Sequence, residues 1–171
     1  MSKDLTSNAT ALMEFAAAVL CKLDVPAADA AVVADRLVFA HLRGVDTHGI
    51  SLLPGYVECL EQGRINPKPK ITIEKPSPWT VRLDADNGLG QVAASKAMEL
   101  ALDAAESLGI GAAVVRRSNH FGAACSYSMM ALPKDCIGIV TSNASAAAAP
   151  FGAVEPFLGT NPLSVAVPTA K

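Results

Sequence analysis

The chain has 171 residues, enough for one domain or two small subdomains with a real core. It is 51% hydrophobic and 18% charged with a formal charge of −2, which leaves no basic footprint for nucleic acid. No apolar run nears the ~20 residues of a membrane span. Met1-Ser2-Lys3-Asp4-Leu5 lacks a signal peptide's charged-then-apolar layout, so the expected compartment is the cytosol.

The first third has helical periodicity. Thr6 or Ser7 caps a first helix to about Lys22, with Leu12, Phe15, Ala16, Val19 and Leu20 on one face. Pro26 opens a second helix, in which Val32, Val33, Leu37, Val38 and His41 keep the period until Gly44 stops it. A third helix is expected over 51–62, with Pro54 in its first turn. Asn66-Pro67-Lys68-Pro69-Lys70 is a stiff crossing segment, placing a boundary between a helical subdomain (1–66) and an α/β domain (67–171).

Strands follow at 71–74 and 80–84, and Asp86-Asn87-Gly88 makes a turn. A long amphipathic helix over 91–108 ends at Gly109. A strand at 111–116, a helix over 121–132, and strands at 137–141 and 163–167 complete an α/β layer packed on the helical start. Cys21, Cys59, Cys125 and Cys136 have no paired metal spacing and are expected as buried thiols.

Two of the three histidines sit in motifs suited to chemistry. In Asp46-Thr47-His48-Gly49, the imidazole could protonate a carbonyl oxygen as hydride arrives, with Thr47 orienting the ring and Asp46 tuning it. The alternative is a histidine that caps carbonyls at a helix end. His41 fits packing better, and a metal site of His41, Asp46 and His48 lacks the i, i+4 spacing and a fourth ligand. In Ser118-Asn119-His120-Phe121-Gly122, a strand feeds a helix start whose small residues Gly122, Ala123 and Ala124 would admit a dinucleotide or nicotinamide; the alternative is a small-residue helix packed on the sheet. Thr160, between Gly159 and Asn161-Pro162, is a turn residue or a substrate contact.

Gly88-Leu89-Gly90-Gln91-Val92-Ala93 fits a Rossmann fingerprint. The following strand ends in Arg116-Arg117 and not in a ribose-binding acid, which would favour NADP over NAD if the fingerprint were real.

Together these blocks, with Ala149-Pro150-Phe151-Gly152, resemble the type 2 malate/L-lactate dehydrogenase family across essentially the whole chain. The resemblance implies an α/β fold that is not Rossmann: a helical amino-terminal subdomain beside a mixed-sheet domain that binds NAD or NADP, here incomplete. It implies an oxidoreductase moving hydride between nicotinamide and a small 2-hydroxy or 2-oxo acid, usually as a homodimer. By motif, His48 matches the proton donor and Thr47 a hydroxyl that relays to it. His120, Phe121, Gly122, Ala123 and Ala124 match a cofactor segment, His120 serving as acid/base in some members. Ser142, Asn143 and Ala144 match a stretch near cofactor and substrate, and Thr160 a substrate contact.

Three departures stand against the family pattern. Leu52 occupies the place of an arginine that clamps the substrate carboxylate, so either Arg43 or a residue beyond this chain substitutes, or the substrate differs. Ala144 replaces a serine. Relatives also run well beyond this length, through the expected relay aspartate, so a non-catalytic scaffold or a split half needing a second chain is the competing expectation.

Overall fold

A computed structural model describes residues 6–169. The Asn8 side chain begins the fold, its Oδ1 accepting from the N–H groups of Thr10 (2.8 Å) and Ala11 (3.4 Å). The cap of α1 (Ala9–Lys22) therefore falls on Asn8 and not on Thr6 or Ser7. Pro26 precedes α2 (Ala27–His41). Two 3₁₀ turns, Asp46–His48 and Ile50–Leu52, lead into α3 (Leu53–Glu61), which starts later than expected and holds Pro54 in its first turn, where no N–H is needed. Ala16, Leu20, Ala30, Val33, Ala34 and Leu37 pack with Leu53, Tyr56, Leu60 and Leu89 into one core. Phe15, expected on the buried face, lies mostly outside it.

The sheet uses the alternation of β2 (Thr80–Asp84): Val81 and Leu83 face inward, and Arg82 faces out. β1 (Thr72–Ser77) pairs antiparallel with β2, and an irregularity between Glu74 and Ser77 accommodates Pro76. Trp79 sits half-exposed in the β1–β2 turn. The helix α4 (Gly90–Leu108) crosses to β3 (Ala112–Arg116), which lies parallel to β2. Val81, Leu83 and Ala97 bury a second cluster with Ile71, Leu100, Ala113 and Val115. The segment 66–70, expected as a boundary, lies inside the compact unit that ends at Ala123.

Parallel β2 and β3 joined by a helix are what a Rossmann unit also requires, so the glycine turn decides. A Cβ on Gly90 would overlap the carbonyls of Asn119 and His120, and one on Gly88 would overlap Pro69. The Asn119 Nδ2 group donates to the carbonyls of Asn87 (2.8 Å) and Gly88 (3.0 Å). The chain itself fills the space that a pyrophosphate would need. The mixed three-stranded sheet, with β1 antiparallel at its edge, agrees with the non-Rossmann α/β expectation.

The expected helix over 121–132 does not form. Gly122 adopts φ +78°, which breaks any helix there, and α5 spans only Cys125–Ser128 before a 3₁₀ stretch, Met129–Lys134. In the second unit, β4 (Gly138–Thr141) pairs antiparallel with β5 (Leu163–Ala166). Its inner face holds Gly138 and Ala166 near Tyr127 and Ala131, with a 2.8 Å Ser128–Ser164 hydroxyl contact. Ile139, Leu163 and Val165 lie on the outer face, exposed. The four cysteines are free thiols, and Cys21 is at the surface, not buried as expected. Among the described residues no helix is long and apolar enough to cross a membrane.

Two outcomes follow from this packing. Gly90→Ala should destabilise the protein by about 1–3 kcal/mol in urea unfolding, since its methyl meets backbone that cannot yield. Asp84 accepts the Asp86 N–H (3.0 Å) and faces Arg116 and Arg117, which together hold its carboxyl below the usual range against a smaller opposing effect of burial. That contribution is complete above the unfolded carboxylate pKa of about 4 and is lost as pH falls through the depressed value. In an acid titration followed by circular dichroism, Asp84→Asn should flatten this part of the unfolding curve.

Candidate active site around the histidine pair

His48 ends the first 3₁₀ turn, its N–H donating to the Val45 carbonyl at 3.0 Å. The Thr47 hydroxyl lies 3.0 Å from His48 Nδ1, the contact expected of an orienting group. The Asp46 carboxylate, expected beside His48, approaches the other histidine instead, its Oδ1 lying 3.3 Å from His41 Nδ1. A Cβ on Gly49 would press on His41, so that glycine lets the loop turn against the end of α2.

His120 comes from the loop after β3, and its ring centroid lies 5.7 Å from that of His48, tilted by 32°. Its Nδ1 is 2.8 Å from the Tyr56 hydroxyl, which in turn receives a 2.7 Å hydrogen bond from Gln91 Nε2. Tyr56 and Gln91 are buried, and no sequence reasoning singled them out. Tyr56 has the periodicity of a core position on α3, and Gln91 lay within the glycine pattern. The sequence signal for Gln91 is a polar residue at the start of an otherwise apolar helix face, and its full burial in the fold is what requires partners. Burial, opposed in part by the Gln91 hydrogen bond, pushes the Tyr56 phenol up to about 12, so it stays a donor at neutral pH. Partial burial, and then the neighbouring His48, lower the His120 pKa.

Other expected site residues are placed differently. Gly122 and Ala123 are buried and Ala124 is partly exposed, and the helix that follows begins at Cys125 and not at Phe121. Arg43 stacks its guanidinium 3.4 Å above the Phe39 ring and donates to the Phe39 carbonyl. Leu52 packs against the helical core, which suits leucine at that position. Arg116 pairs with Asp84, and Arg117 with Asp84 and Asp86, so neither is left free for a phosphate.

Within the second unit, β4–β5 pairing brings the 142–144 and 159–161 loops together. The Ala144 N–H donates to Asn161 Oδ1 at 2.9 Å, and Ser142 Oγ donates to the Asn143 carbonyl. A Cβ on Gly159 would overlap the Ala144 carbonyl, which accounts for the glycine before Thr160. Among the described residues no three His, Cys, Asp or Glu side chains group as metal ligands.

A family model described as malate/L-lactate dehydrogenase matches residues 7–171. The chain belongs to that family. It is 49% identical over 148 residues to an L-sulfolactate dehydrogenase of Methanocaldococcus jannaschii, covering 86% of this chain and 43% of that one. A ureidoglycolate dehydrogenase (NAD(+)) of Escherichia coli strain K12 is 36% identical over 87% of this chain and 43% of its own length. The solved malate dehydrogenase of Pyrococcus horikoshii OT3 superposes with a TM-score of 0.94 at 42% identity, covering 98% of this chain and 48% of that one. This family member thus spans less than half the length of the curated relatives it matches.

In an NMR pH titration His120 should protonate below the ordinary imidazole value of about 6.5. His48→Ala should raise that midpoint by removing one of its two causes; an unmoved midpoint would show that the rings do not sense each other.

Proposed function

We propose that His48 and His120 form the polar centre of a nicotinamide-dependent 2-hydroxy-acid dehydrogenase. The observation that carries this reading is the 5.7 Å ring pair in a chain of the malate/L-lactate dehydrogenase family. Among the described residues neither Nε2 has a hydrogen-bond partner, while both Nδ1 atoms are engaged, so each ring has one nitrogen left for a ligand. That donor set fits a 2-oxo acid lying beside a nicotinamide. The cofactor, when bound, supplies hydride to C2 of the oxo acid or accepts it from the hydroxy acid.

His48 gives a proton to the carbonyl oxygen during reduction and takes it back during oxidation. Thr47 holds the ring through Nδ1, leaving Nε2 to carry the proton. His120 supplies a second polar contact to substrate or cofactor, and Phe121 lines the same loop. In the second unit, Ser142, Asn143, Ala144 and Thr160 are ligand contacts by the family resemblance alone. NAD is the first cofactor to test because one relative's name specifies NAD(+).

The outer face of the second unit favours an accompanying reading in which further protein covers it. Ile139, Leu163 and Val165 are exposed on that face, and Phe151 and Phe157 are exposed elsewhere in the unit, beyond what an isolated surface usually shows. A second copy of this chain, or a chain carrying the remaining length of the relatives, would meet that need. Light scattering of the purified protein checks it: a monomer with no associated polypeptide would argue against it.

The decisive assay compares wild type with His48→Ala in the active enzyme, using malate, lactate, pyruvate, oxaloacetate and sulfonated or ureido acids with each cofactor. Turnover should fall ~10²–10⁴-fold with cofactor affinity little changed. Unchanged turnover would remove His48 from the chemistry.

A further inference from the structure

The second histidine is held by groups far from it in sequence. Tyr56 on α3 and Gln91 on α4 meet at the His120 ring, and both are almost wholly buried. Gln91 Nε2 occupies a lone pair of the Tyr56 oxygen at 2.7 Å, and the phenolic hydrogen is free to point at His120 Nδ1 at 2.8 Å. A nitrogen that accepts this bond carries no proton, so a neutral His120 must carry its hydrogen on Nε2.

The opposite amide orientation would reverse the chain of donors, making Tyr56 accept from an Nδ1–H. It would also take away the one acceptor, the Tyr56 oxygen, that the amide N–H groups have. The observed orientation pairs one of the two amide hydrogens and leaves Oε1 unpartnered, and a buried orphan acceptor is tolerated better than a further orphan donor. The resulting direction is Gln91 to Tyr56 to His120.

We propose that Tyr56, oriented by Gln91, is a positioning residue that fixes neutral His120 as the Nε2–H tautomer, so that this ring meets a ligand oxygen as a donor. The proposal deepens the dehydrogenase reading and rests on it for its functional consequence, but the tautomer itself can be read without turnover. His120 would then hold an oxo or carboxylate oxygen while His48 moves the proton, which gives the two neighbouring imidazoles different tasks.

The test is long-range ¹H–¹⁵N correlation of histidine-labelled protein at about pH 8, above the ordinary imidazole range. His41→Gln and His48→Gln variants assign the three rings. His120 should show a protonated Nε2 and an unprotonated, hydrogen-bonded Nδ1, and Tyr56→Phe should convert this pattern to a tautomer mixture. In the active enzyme the same variant should lower kcat roughly tenfold, the effect of losing about one hydrogen bond's worth of orientation. A wild-type Nδ1–H signal would overturn the proposal even if Tyr56→Phe failed to fold. So would a fixed Nε2–H pattern that survives loss of the phenol, or an unchanged kcat in Tyr56→Phe. Absence of dehydrogenase activity in wild type, with the tautomer as expected, would instead count against the functional reading and leave the relay standing.

Discussion

The side-chain amide of Asn119 is the tie on which the site depends. It reaches back to the carbonyls of Asn87 and Gly88 and draws the loop after β3 onto the turn before α4. The approach is so close that Gly90 has no room for a side chain beneath the Asn119 and His120 carbonyls. Only with that seating does Gln91, one residue further on, stand where Tyr56 can bridge it to the His120 ring. The glycine-rich block is therefore a foundation for a histidine loop. Its resemblance to a phosphate-binding turn is a by-product of needing small residues wherever two backbones meet.

Charge is distributed to the same end. The carboxylates of Asp84 and Asp86 engage the two arginines at the end of β3, and Arg117 holds φ +51° just before the histidine loop departs. The Arg117 carbonyl also accepts the Asn87 N–H at 2.8 Å. An ionic clasp and a backbone clasp thus fasten the same bend. Around the two imidazoles the balance is different: among the described residues no carboxylate pairs with His120, and partial burial beside a second ring keeps it neutral at physiological pH.

Much of this was legible in the residues. Pro26, Gly44 and Gly109 mark helix ends, the alternation of β2 marks its buried face, and the two histidine motifs name the rings that come together. Proximity between partners 64 residues apart was not legible, because periodicity tells which face Tyr56 occupies and not what waits across the core. The small residues from Gly122 to Ala124 suggested a helix by propensity, yet the chain needs a left-handed turn at Gly122 to leave the loop. Sequence adjacency points Asp46 at its near neighbour His48, whereas the 3₁₀ turn carries it back over the end of α2 to His41.

The aromatic residues are also unevenly shared. The single tryptophan, Trp79, and one of the two tyrosines belong to the first unit, while Tyr127 is the other tyrosine and belongs to the second. Fluorescence excited selectively through the indole therefore reports loosening of the β1–β2 hairpin and is blind to melting of the β4–β5 ribbon. A transition monitored that way, set beside one monitored by backbone dichroism, would reveal whether the two units let go together or in sequence.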